Sequence, residues 1–258
     1  MPEKNKQNPL CDDFFTALSF LTIIPVRGSV QRRKDALASS MFFFPLVGFG
    51  IAAVSLGLSR ISGVFLSQRI ANLLLVLFPI LLSGCLHMDG FADFFDAFFQ
   101  KKGREEILRV MKDPHIGVWG VVGVVFCILL KWECLMIVPL KAQSFLLAMT
   151  LSRWAHVFLC YLQLYAGQEG GLGEAVAKKV GLRELMGSTI LTLPVTLMLG
   201  LPGLFVFSVI ALFVLLSGRF YKGRIGGITG DLIGATGEMS EIIVYMVILS
   251  IAHFGVDL

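Results

Sequence analysis

The sequence predicts an all-α, polytopic integral membrane bundle of about seven transmembrane helices with an N-terminal interfacial helix, forming one membrane-embedded domain over residues 1–258. Three observations predict it. First, 56% of the 258 residues are hydrophobic and 16% are charged, against about 25% charged in ordinary soluble domains. Mean hydropathy is +0.80, more apolar surface than a soluble domain of this size can hide. Second, the apolar runs are continuous and long enough to span a bilayer as helices, without the alternation over roughly ten residues that marks a membrane β-barrel. Third, most of the 22 Lys and Arg fall in alternate connecting segments, and the intervening ones hold 3: Arg60, Arg69 and Lys141. Positive residues gather on the cytoplasmic side, so the N-terminus is expected inside.

Residues 10–26 carry Asp12 and Asp13 at their start and Pro25 at their end. They are short for a span and read as an interfacial helix. A basic turn follows at Arg27, Arg32, Arg33 and Lys34. Spans are expected near 38–59, 70–88, 116–138, 143–163, 185–200, 203–219 and 238–256. The third contains Lys131 and Glu133, and the fourth contains Arg153. The cysteines at 11, 85, 127, 134 and 160 form no C-x-x-C pair and read as small hydrophobes.

Gly84–Phe99, GCLHMDGFADFFDAFF, ends the second apolar run with Asp89, Asp93 and Asp96. At i, i+4 and i+7 these fall within about 60° on a helix, with five phenylalanines opposite. Three like charges on one face repel, and a divalent cation would relieve them. His87 would point away from that column, at about 160°, which suits a supporting or substrate contact better than a metal ligand. Gly226–Glu241, GGITGDLIGATGEMSE, supplies Asp231, Glu238 and Glu241 before the last span. Its glycines let backbone approach a ligand, and its N–H groups can cradle phosphate. The plainer reading is a loop capped by Thr229 or Asp231. Arg104–Arg109 reads as a solvated connector, whereas Lys112 and His115, beside the helix-stopping Pro114, suit anion binding. Arg153 lies deep in its span, where a charge costs about 2.5–3.5 kcal/mol, and should pair with a carboxylate. His156 reads as an interior histidine.

Six carboxylates expected at one membrane surface suit Mg²⁺ or Mn²⁺, and such ions usually hold phosphate oxygens. The residues therefore point to a membrane transferase or hydrolase acting on a phosphate or diphosphate. No P-loop, dinucleotide fingerprint or nucleophile elbow is present, and no basic, aromatic-interleaved stripe suggests a nucleic-acid partner.

The stretches HMDGFADFFDAF (87–98), MKDPHIGVWG (111–120), SRW (152–154) and GGITGDLIGATGEMSE (226–241) resemble the signatures of the cobalamin synthase, or adenosylcobinamide-GDP ribazoletransferase, family. FLTIIPV (20–26) and FFPLVGFGIA (43–52) are similar to its N-terminal stretches. Order and spacing agree over nearly the whole chain. The family's G-x-L-H-x-D-G-L-A-D string has Phe91 in place of Leu here, a mild change on the aromatic face.

The resemblance implies that adenosylcobinamide-GDP and α-ribazole, or its 5′-phosphate, are joined to give adenosylcobalamin or its 5′-phosphate, with release of GMP. Under it, Asp89, Asp93, Asp96, Asp231 and Glu238 are expected to hold Mg²⁺. Asp96 or Glu241 would take the hydroxyl proton. His87, Lys112, His115, Arg153 and Thr229 would contact substrate. The expected location is the inner membrane, with the active site facing the cytoplasm. The sequence leaves the oligomeric state open, a homo-oligomer included. A CDP-alcohol phosphotransferase is the nearest rival, although D-G-F-A-D lacks that family's Arg. A secondary transporter is a further rival, although its sites lie near the midplane, usually between repeated halves.

Overall fold

Most of the long apolar runs fold as single helices, and the polar or glycine-rich breaks between runs set the turns. The computed structural model describes residues 9–26, 36–99, 103–167 and 180–255. The basic turn at Arg27, Arg32, Arg33 and Lys34 lies outside the described residues. Helix α1 (Pro9–Leu21) is followed by the short α2 (Ala36–Ser40), and a 3₁₀ turn (Met41–Phe43) leads into α3 (Phe44–Phe65). Pro45 sits in the first turn of α3, where its missing N–H leaves no bond unmade. Helix α4 (Gln68–Leu82) carries Pro79 in its last turn.

The chain then bends by 93° before α5 (Leu86–Phe98). Gly84 and Cys85 make the corner in the left-handed region, with φ of 60° and 61°. Glycine adopts that conformation freely, while Cys85 costs about 1–2 kcal/mol there. The second apolar run is therefore a broken element, and Asp89 and Asp93 lie on a helix set across the run that precedes it. Next come α6 (Arg104–Val110), α7 (Val118–Ile137), α8 (Lys141–Leu162), α9 (Leu182–Leu197), α10 (Gly200–Ile225) and α11 (Gly230–His253).

Among the described residues five helical stretches are long and apolar enough to cross a membrane: 36–65, α7, α8, α10 and α11. The count is up to six if the bent α4–α5 pair is one span. The expected span at 185–200 is α9, whose 16 residues reach about 24 Å, short of the ~30 Å hydrocarbon thickness. The last span also begins earlier than expected, because Thr229 caps the helix at Gly230 and the glycines at 234 and 237 stay helical. Asp231, Glu238 and Glu241 consequently lie inside the last helix and not before it.

Helix α8 is the centre of the bundle, with 78% of its most apolar stretch buried, whereas α10 is peripheral at 22%. Helix α11 packs against both α5 and α8, and α3 covers another side of α8. Small residues make these approaches close, as expected where helices pack in lipid. Gly48 faces the Arg153 side chain, and Gly237 faces His156 and Ser152.

Candidate active site

The site grows from one crossing of helices. At Gly90, α5 meets the first turn of α11 backbone to backbone. A Cβ there would lie 2.6 Å from the carbonyl oxygen of Asp231 and 2.7 Å from its Cα. Only glycine permits this approach. Two acids from one helix are thereby set beside one from another: Asp231, Asp89 and Asp96 all act electrostatically on Asp93, and Asp89 acts on Asp231. Asp89 is exposed, and Asp93 and Asp231 are half-buried, so the group is open to a ligand.

The turn that delivers Asp231 is held from several sides. Gly226 ends α10 in the left-handed region, with φ of 88°. The Ile228 N–H donates to the Leu164 carbonyl at 2.9 Å, and the Ala166 N–H donates to the Ile228 carbonyl at 2.8 Å. Thr229 caps α11: its hydroxyl accepts the Leu232 N–H at 3.4 Å and donates to Asp231 Oδ2 at 3.4 Å. Thr229 therefore acts as a cap that also touches a site carboxylate. The Arg104 guanidinium stands beside this turn, 3.6 Å from where a Cβ on Gly226 would be.

Asp96 does a different job. Its Oδ2 accepts the Gly117 N–H at 2.7 Å and its Oδ1 accepts the Gly120 N–H at 2.9 Å. It is buried at the N-terminus of α7, where a carboxylate satisfies otherwise unpaired donors and meets the positive end of the helix dipole. Asp96 thus locks α7 to α5.

Glu238 and Glu241 lie deeper. Glu238 is seven residues beyond Asp231, about 10 Å along α11. Lys131 Nζ, from α7, binds Glu238 Oε2 at 2.5 Å and Glu241 Oε2 at 2.6 Å. Arg153 Nη1, from α8, reaches Glu241 Oε1 at 3.4 Å and Ser152 Oγ at 2.7 Å. Two cations and two anions, all buried, tie α7, α8 and α11 together with no net charge. The carboxylate expected for Arg153 is Glu241.

His87 lies on the inner side of α5, its ring tilted by 33° against that of His156 with 4.8 Å between centroids. Both are buried, and His87 Nδ1 and His156 Nε2 have no hydrogen-bond partner among the described residues. This places His87 in the interior, away from the exposed mouth. Lys112 and His115 are exposed in the turn that leads to Gly117. His115 Nδ1 lies 2.7 Å from Asp113 Oδ1, and the His115 backbone N–H donates to the same oxygen at 3.0 Å. These two bonds, the side-chain one first, hold the Asp113 carboxyl below its usual range.

The sequence reading missed Lys131 and Arg104. Lys131 was legible as a charge inside a span, which demands a counter-ion. Nothing local marks Arg104, because its position depends on α6 packing against α10.

The donor chemistry here is all oxygen, the kind a hard cation takes. Among the described residues no group of three or more His, Cys, Asp or Glu is gathered closely enough to hold a metal by itself. Asp89, Asp93 and Asp231 form an acidic patch that ligand oxygens can complete, the usual arrangement for Mg²⁺ with phosphates.

Comparison with known proteins gives a consistent result. The family model described as cobalamin-5-phosphate synthase (CobS) matches residues 13–249. A protein named adenosylcobinamide-GDP ribazoletransferase from Geotalea daltonii is 37% identical over 92% of this chain and 97% of its own length. Proteins of that name from Alkaliphilus metalliredigens and Desulforamulus reducens are 34% and 35% identical, over 94% and 90% of this chain and 96% and 94% of theirs. No solved structure matches the chain significantly. The matched range 13–249 takes in the α5 acids, the turn before α7 and the capped start of α11, and the chain belongs to the cobalamin-5-phosphate synthase family.

Proposed function

We propose that this chain joins adenosylcobinamide-GDP to α-ribazole or its 5′-phosphate, forming adenosylcobalamin or its 5′-phosphate and releasing GMP. The observation that carries the reading is the Gly90–Asp231 crossing, which collects Asp89, Asp93 and Asp231 into one accessible acidic group. Family membership supplies the substrates through the relatives' name, and it favours neither the CDP-alcohol phosphotransferase nor the transporter.

Asp89, Asp93 and Asp231 are the residues that would hold Mg²⁺. When bound, the ion would neutralise the diphosphate and stabilise the departing GMP. Lys112, His115 and Arg104, on the segments that adjoin the acids, supply positive charge to the nucleotide phosphates. The ribose hydroxyl of the ribazole attacks the phosphate next to the cobinamide, and its proton goes to a carboxylate of this exposed group. Asp96 and Glu241 are poorer acceptors, because backbone N–H groups and buried cations already occupy their oxygens. Thr229 keeps Asp231 turned toward the site. Arg153 and Glu238 act from the interior by fixing α11. The distribution of Lys and Arg supports an inner-membrane protein with this acidic end on the cytoplasmic side.

The test is an assay on purified protein in detergent, with adenosylcobinamide-GDP plus α-ribazole or its phosphate. GMP should appear with the joined product, stop with EDTA and return with Mg²⁺. CMP release from CDP-alcohols in place of GMP would overturn the substrate assignment, and full turnover in EDTA would overturn the cation's role.

A further inference from the structure

Away from the acidic group, the bundle gathers charge of the opposite sign. Helix α7 starts at the Asp96 cap and runs 20 residues, about 30 Å. Near its far end, α3, α4 and the start of α8 line a half-open cavity of about 470 Å³. Leu56, Val64 and Leu75 line it together with Arg60, Lys141 and Asn72.

Its polar lining is organised by a buried amide. Asn72 is 1% exposed. Its Oδ1 accepts from Gln68 Nε2 at 2.9 Å and from Lys141 Nζ at 3.2 Å, while its Nδ2 donates to the Leu135 carbonyl at 3.3 Å. This holds the Lys141 ammonium at the cavity with one N–H engaged and the others available. Neither Arg60 nor Lys141 pairs with a carboxylate among the described residues. Two cations beside one cavity repel unless an anion joins them. The cavity lies at the end of the spanning helices, the level of lipid headgroups, and its apolar lining residues suit an acyl chain.

We propose that this cavity binds one anionic phospholipid, its phosphodiester between Arg60 and Lys141 and an acyl chain along Leu56, Val64 and Leu75. A headgroup without its own amine fits best, because the site already holds two uncompensated cations. The inference stands apart from the transferase reading, since the cavity is at the other end of α7 from the acids.

The test uses the full chain, delipidated in mild detergent and given phosphatidylglycerol or phosphatidylcholine of the same acyl length. Bound lipid is counted by native mass spectrometry. The wild type should retain phosphatidylglycerol at least about tenfold better than phosphatidylcholine, and R60Q/K141Q should lose that preference, the scale expected from two cations at an anionic headgroup. Arg60 is exposed, so R60Q alone should fold and lose part of the preference. R69Q removes an exposed charge outside the cavity and should retain it. Three results would overturn the proposal: equal retention by wild type and R60Q/K141Q, an equal loss in R69Q, which would mean diffuse attraction, or displacement by glycerol phosphate, which would mean a free phosphate ester.

Discussion

Replacing Gly90 with alanine probes the joint on which the site depends. The added Cβ would sit 2.6 Å from the Asp231 carbonyl oxygen, where ordinary contact begins at 3.4 Å. The helices must therefore separate by about 0.8 Å at that point. The obstacle is the main chain of α11, so no side-chain rotation removes it. Overpacking of this kind costs about 1–3 kcal/mol, and alanine's better helix propensity returns up to ~1 kcal/mol. The net loss of stability is modest. The effect on catalysis is larger, because a misplacement near 1 Å costs on the order of 100-fold. Gly90→Ala should lower the GMP-release rate by about that factor while helical circular dichroism shows only a small fall in Tm. Gly50→Ala on α3 is the control, since a Cβ there meets nothing within 4 Å, and it should leave both readouts near wild type. Full activity in Gly90→Ala, or an equal loss in Gly50→Ala, would refute the reasoning.

Two other perturbations separate the remaining parts. Lys131→Met leaves Glu238 without an ion pair among the described residues and Glu241 with Arg153 alone, and should cost about 3–5 kcal/mol, as breaking a buried pair does; Lys131→Met/Glu238→Gln should recover most of it, read by SDS-induced unfolding. His115→Ala removes the stronger bond to Asp113 and keeps the backbone one, so the Asp113 titration midpoint followed by NMR should rise part of the way toward the ordinary carboxylate value. The sign follows from a depressed carboxyl pKa: the interaction is present at neutral pH and is lost as pH falls through the carboxylate's folded value, so the variant and the wild type should converge in acid.

Much of the fold was legible because it is written in local terms. Continuous apolar runs became helices, Pro114 stopped α6, and Thr229 capped α11. The spacing of Asp89 and Asp93 put them on one face, as the structure has them. What local pattern could not show is the corner at Gly84–Cys85, since a cysteine with positive φ carries no sequence signature. Nor could it show how six acids divide. Asp96, Glu238 and Glu241 look like Asp89, Asp93 and Asp231 in sequence. Their difference comes from α7, which offers Gly117 and Gly120 to the first and Lys131 to the other two. That sorting is tertiary: an acid facing backbone donors or a buried ammonium becomes structural, while one facing solvent stays available for a ligand.

The measurement that bears most directly on the account is GMP release by Asp231→Asn and Asp93→Asn, with protein abundance and Tm measured in the same preparations. Near-normal abundance and folding are expected, since both side chains are only half-buried, with turnover abolished in each. Normal turnover in either variant would contradict the claim that the α5–α11 crossing assembles the reactive site.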